Sequence, residues 1–280
     1  MRRTRKHRSN KQKKLLIVGS LSLLLFLCVG YAAFSTNLSL KAKGNIKEIT
    51  DKDYIQDNLF YFVDGIQNTS NGHDTNSTNW ENLIDNGYTS NIVGFDVPGW
   101  TQDNGLLFDG VDDYIDTGFL QEAMGNEITF EFVSIPTNTD NYRGYFGYHT
   151  SNKLNNGVAV QFGNGGLQFS YYGDGTYCGD INLSKEEVEK YLLNKKSDIA
   201  IVMSAKNYVA IYINGEKIHH NTCTNNFVPD EFYNFYIGKS WHADDRYFQG
   251  TMYNFMIYKK VLNDDEIKHN HAINKIRYDF

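Results

Sequence analysis

The chain has 280 residues, 41% hydrophobic and 15% aromatic, with 24 Gly and only three Pro, a composition that suits a packed core and excludes collagen-like, proline-rich and wholly disordered chains. Its net charge of −6 is unevenly spread, because Arg2, Arg3, Arg5, Lys6, Arg8, Lys11, Lys13 and Lys14 come first with no acid among them, leaving 19 basic against 33 acidic residues, a net −14, in the rest. So acidic a body would repel a polyphosphate backbone, which argues against nucleic acid as a partner.

Directly after this basic tail (residues 1–14), Leu15 to Phe34 runs LLIVGSLSLLLFLCVGYAAF without a charge, about the length that crosses the ~30 Å hydrocarbon core of a bilayer. As a transmembrane helix with its Lys/Arg on the amino side, it would leave the tail in the cytoplasm and the C-terminal domain extracellular, a single-pass protein of the cell membrane. The competing reading is a cleavable signal segment, with small residues at Gly30, Ala32 and Ala33, and a secreted product. Cys28 reads as an apolar membrane residue, since Leu27 precedes it where a lipid-attachment site has a small one.

Residues 35–50 are polar, carry Lys41, Lys43 and Lys47, and read as a stalk or a first loose strand. From Asp51 to Phe280 the sequence is that of one all-β domain. Short aromatic and β-branched runs, bounded by Gly, Asn and Asp, predict strands at Leu59–Val63, Gly105–Phe108, Tyr114–Thr117, Glu127–Ile135, Tyr142–His149, Gly157–Phe162, Gly166–Tyr172, Ser197–Ser204, Tyr208–Ile213, Phe232–Lys239 and Thr251–Tyr258. In the fourth run Ile128, Phe130 and Phe132 share one face while Glu127, Thr129 and Glu131 share the other, the pattern of a half-buried strand. In the last, Tyr253, Phe255 and Ile257 oppose Asn254, Met256 and Tyr258, as in an inner strand. Asn214-Gly215 is a type I′ hairpin signal, because both central residues take a positive φ. Two stretches look helical and read as short lids: Ser184 to Asn194, with a capping box to Glu187, and the segment after Asn263, with Glu266 three residues on. No repeat of fixed period occurs, which sets solenoids and propellers aside.

The exported part has two cysteines, Cys178 and Cys223. On the oxidising side of a membrane they either form one disulfide or stay as two half-buried thiols. No Cys/His spacing suits zinc.

The run Gly105 to Thr117, GLLFDGVDDYIDT, resembles an opening motif of the bacterial concanavalin A-like lectin/glucanase superfamily, in its laminin G-like jelly-roll branch. Trp80 to Gly87 (WENLIDNG), the Tyr212-Ile213-Asn214-Gly215 hairpin, and the close from Phe235-Tyr236-Ile237-Gly238 through Phe248-Gln249-Gly250 to Ile257–Ile267 are similar to further motifs of that branch, in the same order. The resemblance covers nearly all of residues 51–280 and implies a two-sheet antiparallel jelly-roll sandwich with short helices.

Enzymes of that superfamily commonly carry two carboxylates on one strand as E-x-D-x-x-E, and this string is absent. Glu127 and Glu131 are the nearest substitute for the carboxylate pair that glycoside hydrolysis requires, and they read as an ordinary solvated pair. With no G-x-S-x-G, H-E-x-x-H or P-loop string either, the expectation is a non-enzyme. Asp109, Asp112, Asp113 and Asp116 offer the hard oxygen ligands that calcium prefers. The resemblance implies a structural calcium there, whereas the residues alone read as a solvated turn; Tyr253-Asn254 stands where the family usually has an acid. His219 and His220 are adjacent on a strand and point to opposite faces, so they cannot easily share a metal. The loop Ser240-Trp241-His242-Ala243-Asp244-Asp245-Arg246 combines an aromatic face with hydrogen-bonding groups, the chemistry that holds a sugar ring, unless Trp241 packs into the core. Tyr172, with Tyr171 and Tyr177, has the same two readings. The expected carbohydrate-binding residues are thus Trp241, His242, Asp244 and Tyr172, the expected metal ligands Asp109, Asp112 and Asp113, and the expected partner a glycan or surface glycoprotein. A structural or assembly module without a small ligand, and a glycoside hydrolase, are the alternatives.

Overall fold

The computed structural model describes residues 49–280 apart from 96–98, 141, 150–156, 174–175, 205–207, 223–226, 230, 232 and 241–245, and gives 148–149, 172–173 and 176–180 by backbone alone. The basic tail, the segment 15–34 and nearly all of the expected stalk lie outside the described residues, among which no helix is long and apolar enough to cross a membrane. Residues 49–280 form one compact unit.

Two seven-stranded antiparallel sheets build this unit, consistent with a jelly-roll sandwich. The first runs in the order β1 (Leu59–Asp64), β14 (Gln249–Tyr258), β5 (Glu127–Pro136), β10 (Ser197–Ser204), β11 (Tyr208–Ile213), β12 (Glu216–Asn221), with β3 (Leu106–Asp109) also paired to β14. The second runs β2 (Asn91–Val93), β4 (Tyr114–Leu120), β13 (Asn234–Ile237), β6 (Gly144–His149), β7 (Gly157–Gly163), β8 (Gly166–Gly173), β9 (Thr176–Leu183). The inner faces meet in an aromatic core. Phe130 of β5 stacks on Phe235 of β13 at 5.7 Å and lies 4.7 Å from Phe146 of β6, while Phe132 lies 5.1 Å from Tyr145. All are fully buried, each side chain contributing roughly 1.5–3 kcal/mol on removal from water. Trp80, singled out by the family resemblance, is buried edge-on against Trp100.

Every run read as a strand is one. The pattern missed β2, which has three residues, β9, whose apolar positions are interrupted by Gly179-Asp180, and β12, EKIHHN, a largely polar and exposed sheet edge. Asn214 and Gly215 turn between β11 and β12 at φ 52° and 77°, the expected hairpin.

Helix α1 (Lys185–Tyr191) starts at Ser184, whose hydroxyl accepts from the Glu187 amide. The carboxyl-terminal helix α2 (Asp264–Arg277) is capped by Asn263, whose Oδ1 accepts from the amides of Asp265 and Glu266 while the Glu266 carboxylate accepts from the Asn263 amide. At fourteen residues α2 is more than a lid. It covers the outer face of the first sheet, where Phe62, Ala200, Val202, Ala210, Met256 and Tyr258 form a second apolar cluster with Leu262, Ile267 and Ile273 of the helix and the segment before it.

This cover corrects two readings. First, β5 is buried on both faces, and Glu131 is fully buried instead of solvated. It accepts from Asn270 Nδ2 at 2.8 Å and Asn274 Nδ2 at 3.4 Å, both on α2. Second, Tyr253 does not share a face with Phe255. The register between β14 and β5 shifts between Met252 and Asn254, a bulge that turns Tyr253 outward onto Tyr278 and puts Met252 inside with Phe255 and Ile257; an extra residue in one strand reverses the alternation beyond it. At the bulge the Asn254 side chain accepts from the Val133 amide at 2.7 Å, replacing the interrupted ladder, and donates to Asn274 at 2.8 Å.

The last helix is also tied to the first described residues. Tyr54 donates to Asn274 at 2.7 Å, the Ile55 amide to Asn270 at 3.0 Å and Arg277 to the Ile49 carbonyl at 2.8 Å, while the Arg277 guanidinium pairs with the buried carboxylate of Asp64 at the end of β1.

Candidate metal and binding site

Strand β3 belongs to one sheet and β4 to the other, so the turn between them, Gly110 to Asp113, bridges the two layers of the sandwich. Gly110 takes φ +81°, which a residue with a Cβ adopts only under strain. The turn folds on its own carboxylates: Asp113 accepts from the Asp109 amide and Asp109 from the Val111 amide, each at 2.7 Å. This gathers one oxygen each from Asp109, Asp112 and Asp113 within 4.8 Å of one another, with Asp113 buried and the other two exposed. Burial, together with the charges of Asp109 and Asp112, pushes the Asp113 carboxyl up to about 6. A proton or a cation would relieve that crowding. Hard carboxylate oxygens on a turn open to solvent fit calcium, which takes six to eight oxygens and accepts water among them. Asp116 is not part of the set: it sits on β4 and accepts from Asn234 Nδ2 at 2.8 Å.

Trp241, His242 and Asp244 lie outside the described residues, but the stems of their loop do not. Lys239 bridges to Tyr247, and the Ser240 amide donates to the Arg246 carbonyl at 3.3 Å. Arg246 donates to Gln161 of β7 at 2.8 Å, and its guanidinium lies 4.2 Å over the ring of Tyr142, which is half-exposed. The Lys239 ammonium is buried near the rings of Tyr114 and Tyr247, 5.2 and 4.9 Å from their centroids. Tyr236 stands edge-on to Tyr114, its hydroxyl pushed up to about 12 by burial and the charge of Asp116.

The acidic turn and this loop meet at the start of β6. Arg143 donates to the Gly110 carbonyl, and the next residue, Gly144, packs so closely on Ser240 and the Arg246 carbonyl that a Cβ would clash with both. Two segments more than a hundred residues apart in sequence are thus fastened to consecutive residues. The sequence reading missed Arg143, although it is the one Lys or Arg between Asp116 and Lys153, and a lone cation in such a stretch is a usable signal for a partner nearby.

The other expected residues are not brought here. Tyr172 lies on β8, two strands from β6, paired through its backbone with Gly157 of β7, and its side chain lies outside the described residues. Cys178 is described by backbone alone, opposite Tyr171, and Cys223 is not described, so the disulfide expectation lies outside the described residues. Glu127 is exposed while Glu131 is enclosed under α2, so this pair does not flank a space that a glycosidic bond could occupy. Burial and the charge of Asp198 push the Glu131 carboxyl well up, against the Asn270 hydrogen bond.

No curated protein matches the sequence. Among solved structures, the receptor binding domain of botulinum neurotoxin C/D mosaic serotype is 14% identical at a TM-score of 0.59, covering 77% of this chain and 51% of that one. The binding domain of serotype D gives 14%, 0.57, 77% and 51%. A Trypanosoma rangeli sialidase in complex with sialic acid gives 16%, 0.55, 82% and 34%. The chain spans about a third of that sialidase and half of those toxin domains, and at these identities the likeness is one of fold. Residues 109–268, which begin at the acidic turn and end in α2, match a laminin G-like family, and with more than half of its length inside that match the chain belongs to the concanavalin A-like lectin/glucanases superfamily.

Proposed function

We propose that residues 49–280 are a non-catalytic carbohydrate-binding module displayed at a cell surface, held there by residues 15–34 as a single membrane span or released when that segment is cleaved. The binding end is built from the Asp109–Asp113 turn and the 239–247 loop. The observation that carries this reading is the fastening of both to Arg143 and Gly144, which gives a concentrated set of carboxylates and an aromatic loop a common footing on a rigid sheet. Loops on such scaffolds are where recognition residues gather. Trp241 would stack on a sugar face, with His242 and Asp244 on its hydroxyls. Asp109, Asp112 and Asp113 would hold calcium, which would neutralise the turn and fix its shape. Enclosure of Glu131 supports a binding role over hydrolysis.

Binding of the full-length chain to a glycan array, with calcium and again with a chelator, tests the reading. Trp241→Ala should abolish the signal and Asp112→Ala should make it insensitive to calcium. Blank arrays in both conditions would refute the carbohydrate assignment.

A further inference from the structure

A second cleft lies on the outer face of the first sheet, beside β11, β12 and the start of α2. Its volume is about 490 Å³, within the range of small-ligand sites. Tyr208 of β11 and Lys217 of β12 form one wall, Val261, Asp264 and Asp265 around the start of α2 form the other, and Tyr212 and Leu262 are buried beneath them. Its polar groups are fixed in advance. Asp264 accepts from the Tyr212 hydroxyl at 2.7 Å and pairs with Lys217 at 2.9 Å, and these two bonds hold its carboxyl below the usual range. The Lys217 ammonium lies 5.3 Å from the Tyr212 ring centroid and 5.8 Å from that of Tyr208. Asp265 is exposed, and its carboxylate takes no partner among the described residues.

We propose that this cleft is a second saccharide site, taking a neutral mono- or disaccharide. The partly exposed ring of Tyr208, with Val261 across from it, supplies an apolar face for the C–H side of a sugar, and the two carboxylates with one ammonium supply acceptors and a donor for its hydroxyls. Two carboxylates against one ammonium disfavour an anionic sugar, and the ammonium already over the rings repels a cationic ligand. The fixed Tyr212–Asp264–Lys217 contacts reduce the ordering cost of binding. The site stands apart from the 239–247 loop, so the proposal does not rest on the function assigned above; the two together would make the domain bivalent toward glycan.

Titration of the full-length chain in lipid nanodiscs with lactose, cellobiose and N,N′-diacetylchitobiose, followed by amide NMR shifts, decides the matter. At least one should saturably shift the amides of Lys217 and of residues 262–265. Tyr208→Ala and Asp265→Ala should each weaken that response at least tenfold, and Trp241→Ala should leave it unchanged. Asp265 is exposed, so its variant reads binding without disturbing the fold. Shifts confined to Arg143, Gly144 and the 239–247 loop and lost in Trp241→Ala would overturn the second site while upholding the first. No shift with any of the three sugars would overturn the second site whatever the glycan array shows.

Discussion

Glu131 is a carboxyl placed where the protein has no water to offer it. Burial and the neighbouring Asp198 charge raise its proton affinity, and two asparagine amides of α2 close over its oxygens. Glu131→Ala would leave those amides without acceptors and open a cavity, costing about 3 kcal/mol or more in urea unfolding at pH 7, and Glu131→Gln, which keeps an acceptor for Asn270, would cost less than about half of that. A carboxyl held up in the fold contributes stability that is full below its unfolded value of about 4.3 and lost as pH rises toward its folded value. Glu131→Gln should therefore gain on the parent as pH climbs from 5 to 9. Asp103 behaves oppositely: burial raises it, but bonds from Thr101, Tyr253 and Lys196 outweigh that and bring it down to about 2. Its contribution is present above about 3.9 and lost as pH falls toward 2, so Asp103→Asn should flatten the melting temperature's decline between pH 4 and 2. Neither role was legible in the sequence. Alternation in β5 assigned Glu131 correctly to the face opposite Phe130, but whether that face meets water depends on a helix 130 residues later.

Elements were legible where the local signal and the tertiary outcome agree. The Asn214-Gly215 turn and both capping boxes stand as read, because the geometry they demand is satisfied within four residues. Asn263→Ala should cost about 1 kcal/mol in denaturant unfolding, and Asn263→Asp, which keeps a capping oxygen, a small fraction of it. The β14 bulge escaped because no residue type announces it: Tyr253 and Asn254 suit either face, and the shift is set by pairing with β5. β12 escaped because its side chains are polar apart from Ile218, as an edge strand's often are. The candidate site was half legible. The acids of the 109–113 turn stood out as a cluster of hard oxygen ligands, whereas Arg143 and Gly144, which join that turn to the 239–247 loop, act through contacts that only the folded chain brings about.

At the scale of the molecule, the sandwich is asymmetric: one sheet carries a helix on its back, and the proposed binding end is built on connections between the two sheets. A chain ending at Lys260 would keep all fourteen described strands but bare Phe62, Val202, Met256 and Tyr258. It should bind an apolar dye and elute as large species in light-scattering chromatography, where the full chain does not. The family match extends into α2, in keeping with the helix as an integral part of the domain.

Arg277 has one further effect. It grips the carbonyl of Ile49 and the carboxylate of Asp64 with the same guanidinium, so a tug on the chain at residue 49 is delivered to the final helix before it reaches the edge of β1. Strain would have to shear several polar contacts at once rather than unzip a strand one rung after another.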